Sequence, residues 1–367
     1  MTKKKLLLGL LPLLLASCNE GPAALSEYIV PLPLFQGKET VNVLHITDLH
    51  WSAGTDVIRE KDYFDSLFEG AKPDLVVTTG DSVLLGSPKL IDTQLSILDE
   101  LAKKYDFHFM TTFGNHDRQG SFHPDYWIEA FAKTERGIYR QLKGIYGKSN
   151  YVVALTDGSN NPLWNVFALD SNTYRQTGMS YEYDVIHEDQ IQWYEDIETM
   201  SNDAPNLVYC HIPLYETEYA FRLAGEAGAK LEDNTGRPGV SAPGKIGRYS
   251  GTMDEKDVVK NEELGPSRCA VGYERTRMFE AMEAHEGRGV FFGHDHVNDF
   301  CAEYTLNEEG TPKITIGYGL KTGDGLYYDA KMMGGTLATL QKDGSVEYFR
   351  CFQGYGENSF RKEAMFQ

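Results

Sequence analysis

Six short apolar runs constrain the fold more than any other feature of the chain: VNVLHITDLH (41–50), PDLVVTTGDS (73–82), FHFMTTFGNHD (107–117), PLWNVFALDS (162–171), PNLVYCHIP (205–213) and GRGVFFGHDH (287–296). Each is β-branched or aromatic and ends in a cluster of Asp, Asn, His or Gly. Runs of this length and makeup are expected to form strands, in sheets buried on both faces. Between several of them lie IREKDYFDSLFEGA, LIDTQLSILDELAKKY and HEDQIQWYEDIETM, whose apolar residues recur at the three- and four-residue spacing of amphipathic helices. Strands alternating with helices specify an α/β architecture. In such folds ligands bind beyond the carboxyl ends of the strands, which is where the polar clusters fall.

The clusters carry a consistent chemistry. Asp48 and His50 lie two apart after the first run, and in an extended segment both side chains would share one side. Asp81 follows Gly80, which allows close backbone approach. Asn115 and His116 follow Gly114, His211 ends VYC, and His294 and His296 end VFFG. Carboxylate, carboxamide and imidazole form the mixed oxygen and nitrogen set that suits iron, manganese or zinc. Seven such donors, Asp48, His50, Asp81, Asn115, His211, His294 and His296, are too many for one ion and fit two ions sharing a carboxylate. Singly, each has an ordinary alternative: a turn or helix cap for Asp48 and Asp81, a buried satisfied histidine for His211. Five clusters at the same end of one sheet system are hard to ascribe to turns.

Asp48-x-His50, Gly80-Asp81, Gly114-Asn115-His116-Asp117, His211 and Gly293-His294-Asp295-His296, in that order, resemble the signature blocks of the calcineurin-like metallophosphoesterases. The resemblance implies a four-layer α/β/β/α sandwich, with Asp48, His50 and His296 on one metal, Asn115, His211 and His294 on the other, and Asp81 bridging. It also implies that His116 is the proton donor and Asp117 its orienting partner. The segments YDVIHEDQIQWYED, HIPLYE, GHDHVNDFC and IGYGLKTGDGLYY look like the single-domain branch related to purple acid phosphatases. Two positions depart from true purple acid phosphatases: Leu84 stands where their second block has tyrosine, and His50 where their first has glycine. An Fe/Zn, Mn or Zn site is therefore expected rather than a tyrosine-ligated ferric one.

Two cations roughly 3.5–4 Å apart lower the pKa of a shared water, attract an anionic phosphate and stabilise charge on its equatorial oxygens. The hydroxide attacks in line, and a histidine titrating near neutrality gives the leaving alkoxide its proton. The expected function is hydrolysis of phosphomonoesters. The alternatives are a phosphodiesterase or pyrophosphatase acting on nucleotides or lipid-linked phosphates, and a non-enzymatic lipoprotein that binds metal or a partner. Asn298 and Asp299 are candidates either for orienting the last two histidines or for a simple turn. Arg118 is a candidate for an exposed side chain or a phosphate contact, and Asp295 should point away from the metals.

The formal net charge of -19, from 54 acidic and 35 basic residues, argues against nucleic acid as partner, since polyphosphate affinity needs a basic footprint. A small phosphorylated substrate is decided by local charge and stays open. Residues 1–17 have the layout of a secretory signal, with Lys3, Lys4 and Lys5 before a short apolar run. Leu15-Ala16-Ser17-Cys18 resembles a bacterial lipobox, which implies acylation of Cys18 and a lipid-anchored protein outside the cytoplasm. Residues 18–39, with Pro22, Pro31 and Pro33, are expected to be a tether, and 40–367 one domain. Cys210, Cys269, Cys301 and Cys351 could pair in an oxidising compartment, though Cys210 lies in an apolar run that favours a buried thiol. The Gly-rich, charged stretch 222–268 is expected to be a lid over the cleft, and Asp343-Gly344 a hairpin turn.

Overall fold

The computed structural model describes residues 25–84, 87–118, 124–229, 242–253, 271–356 and 359–366. In chain order the strands are β1 (Ile29–Leu32), β2 (Thr40–Ile46), β3 (Leu75–Thr78), β4 (His108–Thr111), β5 (Gly137–Ile138), β6 (Tyr151–Leu155), β7 (Trp164–Ala168), β8 (Tyr174–Thr177) and β9 (Ser180–Tyr183). They continue as β10 (Asn206–Tyr209), β11 (Lys245–Ser250), β12 (Gly287–Phe292), β13 (Cys301–Thr305), β14 (Ile314–Tyr318), β15 (Gly334–Gln341), β16 (Val346–Phe352) and β17 (Arg361–Ala364). The helices are α1 (Val57–Ala71), α2 (Pro88–Tyr105), α3 (Pro124–Phe131), α4 (Glu188–Met200), α5 (Glu216–Glu226) and α6 (Met278–Ala284).

Two sheets carry the fold. One has the order β1-β6-β7-β10-β12-β14-β13-β11, the other β17-β16-β15-β2-β3-β4-β5. At the centre of the first, β7, β10, β12 and β14 run parallel; in the second, β2 to β5 run parallel and β15 to β17 add antiparallel strands beside β2. Strand alternation sorts the apolar side chains into three layers. Val41, Val43, Leu75 and Val77 meet Leu207, Tyr209 and Phe291 between the sheets. Leu44, Ile46 and Val76 face α1, α2 and α3, and Val208, Val290 and Phe292 face α4, α5 and α6. The result is the expected four-layer sandwich.

The helices begin and end where their chemistry dictates. Asp56 caps α1 and Ser87 caps α2, each accepting from a backbone N–H of the first turn, and Pro88 opens α2 where no N–H is needed. At the end of α4, the buried Glu198 accepts from Asn165 at 2.8 Å, so a polar group inside the helix–sheet layer has a partner.

Two expectations change, and the buried thiol expected at Cys210 is found. The tether does not extend to residue 39: β1 pairs in parallel with β6, and Leu32 and Phe35 are buried, because Ile29, Leu32 and Phe35 supply the apolar positions that an edge strand needs. Within 222–268, residues 242–253 include β11, which completes the edge of the first sheet beside β13; 230–241 and 254–268 lie outside the described residues, as do 1–24 with Cys18. Cys210, Cys301 and Cys351 are buried free thiols, and Cys269 lies outside the described residues. No helix among the described residues is long and apolar enough to cross a membrane.

Candidate metal centre

The carboxyl ends of five parallel strands converge on one point. From the second sheet come Asp48 and His50 after β2, Asp81 after β3, and Asn115 to Asp117 after β4; from the first come His211 after β10 and His294 to His296 after β12. All seven expected donors are brought together. Three groups have donor atoms within 4.8 Å of one another: Asp48, His50 and His296 in one, Asp81, His211 and His294 in a second, and His50, Asp81 and His116 in a third that bridges the other two.

In the first group, His50 Nε2 and His296 Nε2 are 3.0 Å apart, and Asp48 Oδ1 lies 3.5 Å and 3.3 Å from them. His296 Nδ1 is 3.0 Å from the Tyr327 carbonyl, which only an N–H can satisfy, so a neutral ring turns its Nε2 lone pair to the group. Asp48 Oδ2 accepts from the Thr47 hydroxyl at 2.7 Å and the His294 N–H at 2.8 Å, while the buried Oδ1 has no hydrogen-bond donor. In the second group, His211 Nδ1–H donates to the Thr79 carbonyl at 2.7 Å. Its Nε2 then faces Asn115 Oδ1 at 3.0 Å, Asp81 Oδ2 at 3.2 Å and His294 Nδ1 at 3.2 Å. Asp81 Oδ2 is also 3.6 Å from His50 Nε2, so one oxygen stands between the groups.

Lone pairs thus converge with too few protons among them. An orphaned buried carboxylate oxygen and imidazole nitrogens 3.0 Å apart are the arrangement that a cation satisfies. The titration behaviour has the same origin. Burial disfavours charge on Asp48 and Asp81, yet the adjacent imidazoles hold both well below the usual carboxylate range. Burial opposes a charge on His211, but the Asp81 carboxylate overrides it and pushes this imidazole up to about 9, a proton taking the place of a cation. Burial lowers His50 to about 4 and His294 to about 3.

The backbone corrects one argument drawn from the sequence. Asp48 and His50 do not converge by strand alternation, since β2 ends at Ile46 and both residues are left-handed, with φ of 57° and 49°. Asp81 (φ 48°) and His294 (φ 75°) share this conformation, so the last tripeptide is not extended either. Each non-glycine residue held there costs about 1–3 kcal/mol, a strain characteristic of functional sites. Close approach also excludes side chains: a Cβ on Gly293 would lie 2.0 Å from Thr47 Oγ1, and one on Gly80 2.0 Å from the Gly114 nitrogen.

Other residues surround the donors. Both Asp117 oxygens are taken by main chain, accepting from Asp81 N, Ser82 N and Gly114 N at 2.8, 3.0 and 2.9 Å. Asp117 therefore ties the β3 and β4 loops together; burial and the Asp81 charge push its carboxyl up to about 7. The His116 ring sits at the rim, a quarter exposed, with Nε2 3.8 Å from Asp81 Oδ2. Asp295 turns aside to Asn298, as expected, and Asp299 pairs with Arg350. Arg118 pairs with the buried Asp170.

Residues 41–298 match the calcineurin-like phosphoesterase family, most of the chain. The chain belongs to that family. Similar proteins include "probable inactive purple acid phosphatase 14" of Arabidopsis thaliana, 23% identical over 71% of this chain and 67% of its own length. Another is "phosphatase DCR2" of Saccharomyces cerevisiae, 26% identical over 72% of this chain and 42% of its own length. The chain thus spans two thirds of one relative and under half of the other. Among solved structures, a dimetal phosphatase from Danio rerio aligns with 89% of this chain and 98% of its own at a TM-score of 0.49 and 11% identity. Family membership supports metal-dependent phosphoester hydrolysis, in keeping with His and Asp groups able to hold metal ions.

Sequence reasoning missed the supports of this phosphoesterase centre. Lys321, buried, donates to the Asp48 carbonyl, and burial lowers its ammonium to about 8. His45 begins a hydrogen-bonded chain through Thr79 and Thr47 to Asp48. The β8–β9 hairpin brings Tyr183 edge-on to His294, with ring centroids 4.2 Å apart. Tyr residues alternating about Thr177-Gly178 were the available signal for it.

Proposed function

We propose that the chain hydrolyses phosphomonoesters at a two-metal centre, with Asp48, His50 and His296 holding one ion, Asn115, His211 and His294 the other, and Asp81 shared. The observation that carries this reading is the single Asp81 oxygen standing 3.2 Å from His211 Nε2 and 3.6 Å from His50 Nε2. Iron, manganese or zinc suits the mixed imidazole, carboxylate and carboxamide donors. When bound, the ions supply charge that draws in the phosphate and lowers the pKa of water between them.

The chain's own residues do the rest. The left-handed turns at Asp48, Asp81 and His294 aim donors from two sheets at one volume, and burial of every donor but the half-buried His294 keeps bulk water from competing for them. The carbonyls of Thr79 and Tyr327 fix the tautomers of His211 and His296. His116, at the rim and beside Asn115, is placed to give a proton to the oxygen that leaves. The word "inactive" belongs to the Arabidopsis relative; here all seven donors are present and converge.

Metal analysis of the purified protein, with hydrolysis of a chromogenic monoester and diester under added iron, manganese and zinc, tests the proposal. Monoester cleavage that falls about a thousandfold or more in Asp81→Asn is expected, the loss of several kcal/mol of charge stabilisation. Diester cleavage alone would move the reading to a phosphodiesterase. Cleavage of neither ester by metal-loaded protein would end it.

A further inference from the structure

The rim of the centre is aromatic on both sides. On the His294 side stands the β8–β9 hairpin, whose register pairs Tyr174 with Tyr183 and Gln176 with Tyr181. In a two-stranded ribbon, directly paired residues and those two away share a face. Tyr174, Gln176, Tyr181 and Tyr183 therefore lie on one face, and it is the face that meets His294, because the Tyr183 ring contacts that histidine. Arg175 and Glu182 project from the other face. Tyr174 stacks on Tyr183 at 5.3 Å and 27°, and lies close enough for the Asp81 charge to add to burial in raising its phenol. On the opposite side, the Tyr327 ring stacks on His296 at 4.2 Å and 21°.

These rings remain open to solvent although they adjoin buried donors. Among the described residues, the exposed large apolar side chains are Ile58, Tyr146 and six more on these two segments: Tyr174, Met179, Tyr181, Leu326, Tyr327 and Tyr328. Tyr174 is 45% exposed and Tyr327 47%. Apolar surface concentrated at the mouth of a polar site marks a place where an apolar group docks. The surface is made of flat rings with hydroxyl edges, and the hairpin face adds the carboxamide of Gln176 rather than a charge. Such faces stack a neutral planar ring and read its edge by hydrogen bonds.

We infer that the rim acts as an aromatic clamp in which the exposed face of Tyr174 or of Tyr327 stacks a flat aromatic ring on the organic part of the phosphoester, either a nucleobase or an aryl group. The inference rests on the phosphomonoesterase reading and adds a substrate class to it. The phosphate sits at the donors, and the ring lies against the hairpin or against Tyr327, whose carbonyl also holds His296.

Two substrate pairs with matched leaving groups test it on the metal-loaded full chain: adenosine 5'-monophosphate against ribose 5-phosphate, and benzyl phosphate against ethyl phosphate. A preference of about tenfold or more in kcat/KM, carried by KM, is expected in at least one pair, as stacking on one aromatic side chain gives. Preference in the first pair alone identifies a nucleobase, and in the second alone an aryl group. The ratio should collapse toward one in Tyr174→Ala with Tyr327→Ala, and persist when both become Phe. Ratios near one in both pairs for the unaltered chain, with ribose 5-phosphate cleaved, would overturn the clamp and leave the phosphomonoesterase reading intact. If no ester is cleaved, that reading falls, and equilibrium binding of the same pairs decides the clamp alone: equal affinities within both pairs reject it.

Discussion

Asp48 is propped largely by side chains, with the His294 N–H its one main-chain donor, whereas Asp81 and His211 are pinned by main chain. Beneath Asp48 runs a relay in which Thr47 donates to the carboxylate, Thr79 donates to Thr47 and His45 Nε2–H donates to Thr79, each at 2.7 Å. Burial holds His45 neutral, near 3, and because both hydroxyl protons are spent toward Asp48, its single proton sits on Nε2 and the relay has one direction. Around Asp81 the partners are the His116 N–H at 2.7 Å, the Thr79 carbonyl on His211, and the loop that Asp117 gathers through three N–H groups. Side-chain support can be removed one hydroxyl at a time without touching a donor; main-chain support is reached only through Asp117.

Asp117→Ala should therefore have the largest effect on the fold, leaving three buried N–H groups without acceptors at a cost of about 3–5 kcal/mol, read as a lowered denaturation midpoint. A shift under about 1 kcal/mol would mean that the β3 and β4 loops hold each other without it. Thr47→Val keeps the shape and cuts the relay. It should weaken metal at the Asp48 group by ~10–100-fold, as loss of a partner behind a ligand does, while the His211 group keeps its affinity. Equal weakening of both ions in a titration would erase the contrast between the halves.

How much of this could be seen in the sequence follows from the same contrast. The donors were legible because each closes an apolar strand, and strand-end polar clusters in a fixed order are a local pattern. The four-layer arrangement followed from runs apolar on both alternations, such as LVVT of β3, buried at every position. Partners from distant segments were not legible. Nothing in YGLKTGDG marks Lys321 as the donor to Asp48, and His45 reads as one more strand residue until Thr79 lies beside it. The left-handed turns were hidden too, because Asp and His tolerate that conformation without the glycine that would announce it. The tether was misjudged at β1 because Pro31 inside a short edge strand and Pro33 just after it look like a linker until β6 is there to pair with it.

The smallest effect concerns pH in the metal-free protein. His50 and His294 are held in the folded state below the ordinary 6.5, at about 4 and about 3, so the unfolded chain binds more protons below pH 6.5. Stability should then fall as the pH drops from about 6.5, by ~1 kcal/mol per histidine near pH 5.5. His211, raised to about 9, contributes stability below 6.5 that fades as the pH climbs through 9. Thermal denaturation across pH 5–9 with chelator, run beside His211→Gln, should show the difference between the two chains shrinking as the pH climbs through 9, and a difference that does not change with pH would contradict the assigned proton position.

The donors come from both sheets and from positions as far apart as His50 and His296, 246 residues along the chain. Ions held there would act on the unfolded polypeptide as a cross-link does, closing long loops and removing the conformational freedom those loops would otherwise have. Chelation would then do more than silence a reaction: it would cut a clasp between the sheets, so that metal supply sets the lifetime of the folded chain as well as its chemistry.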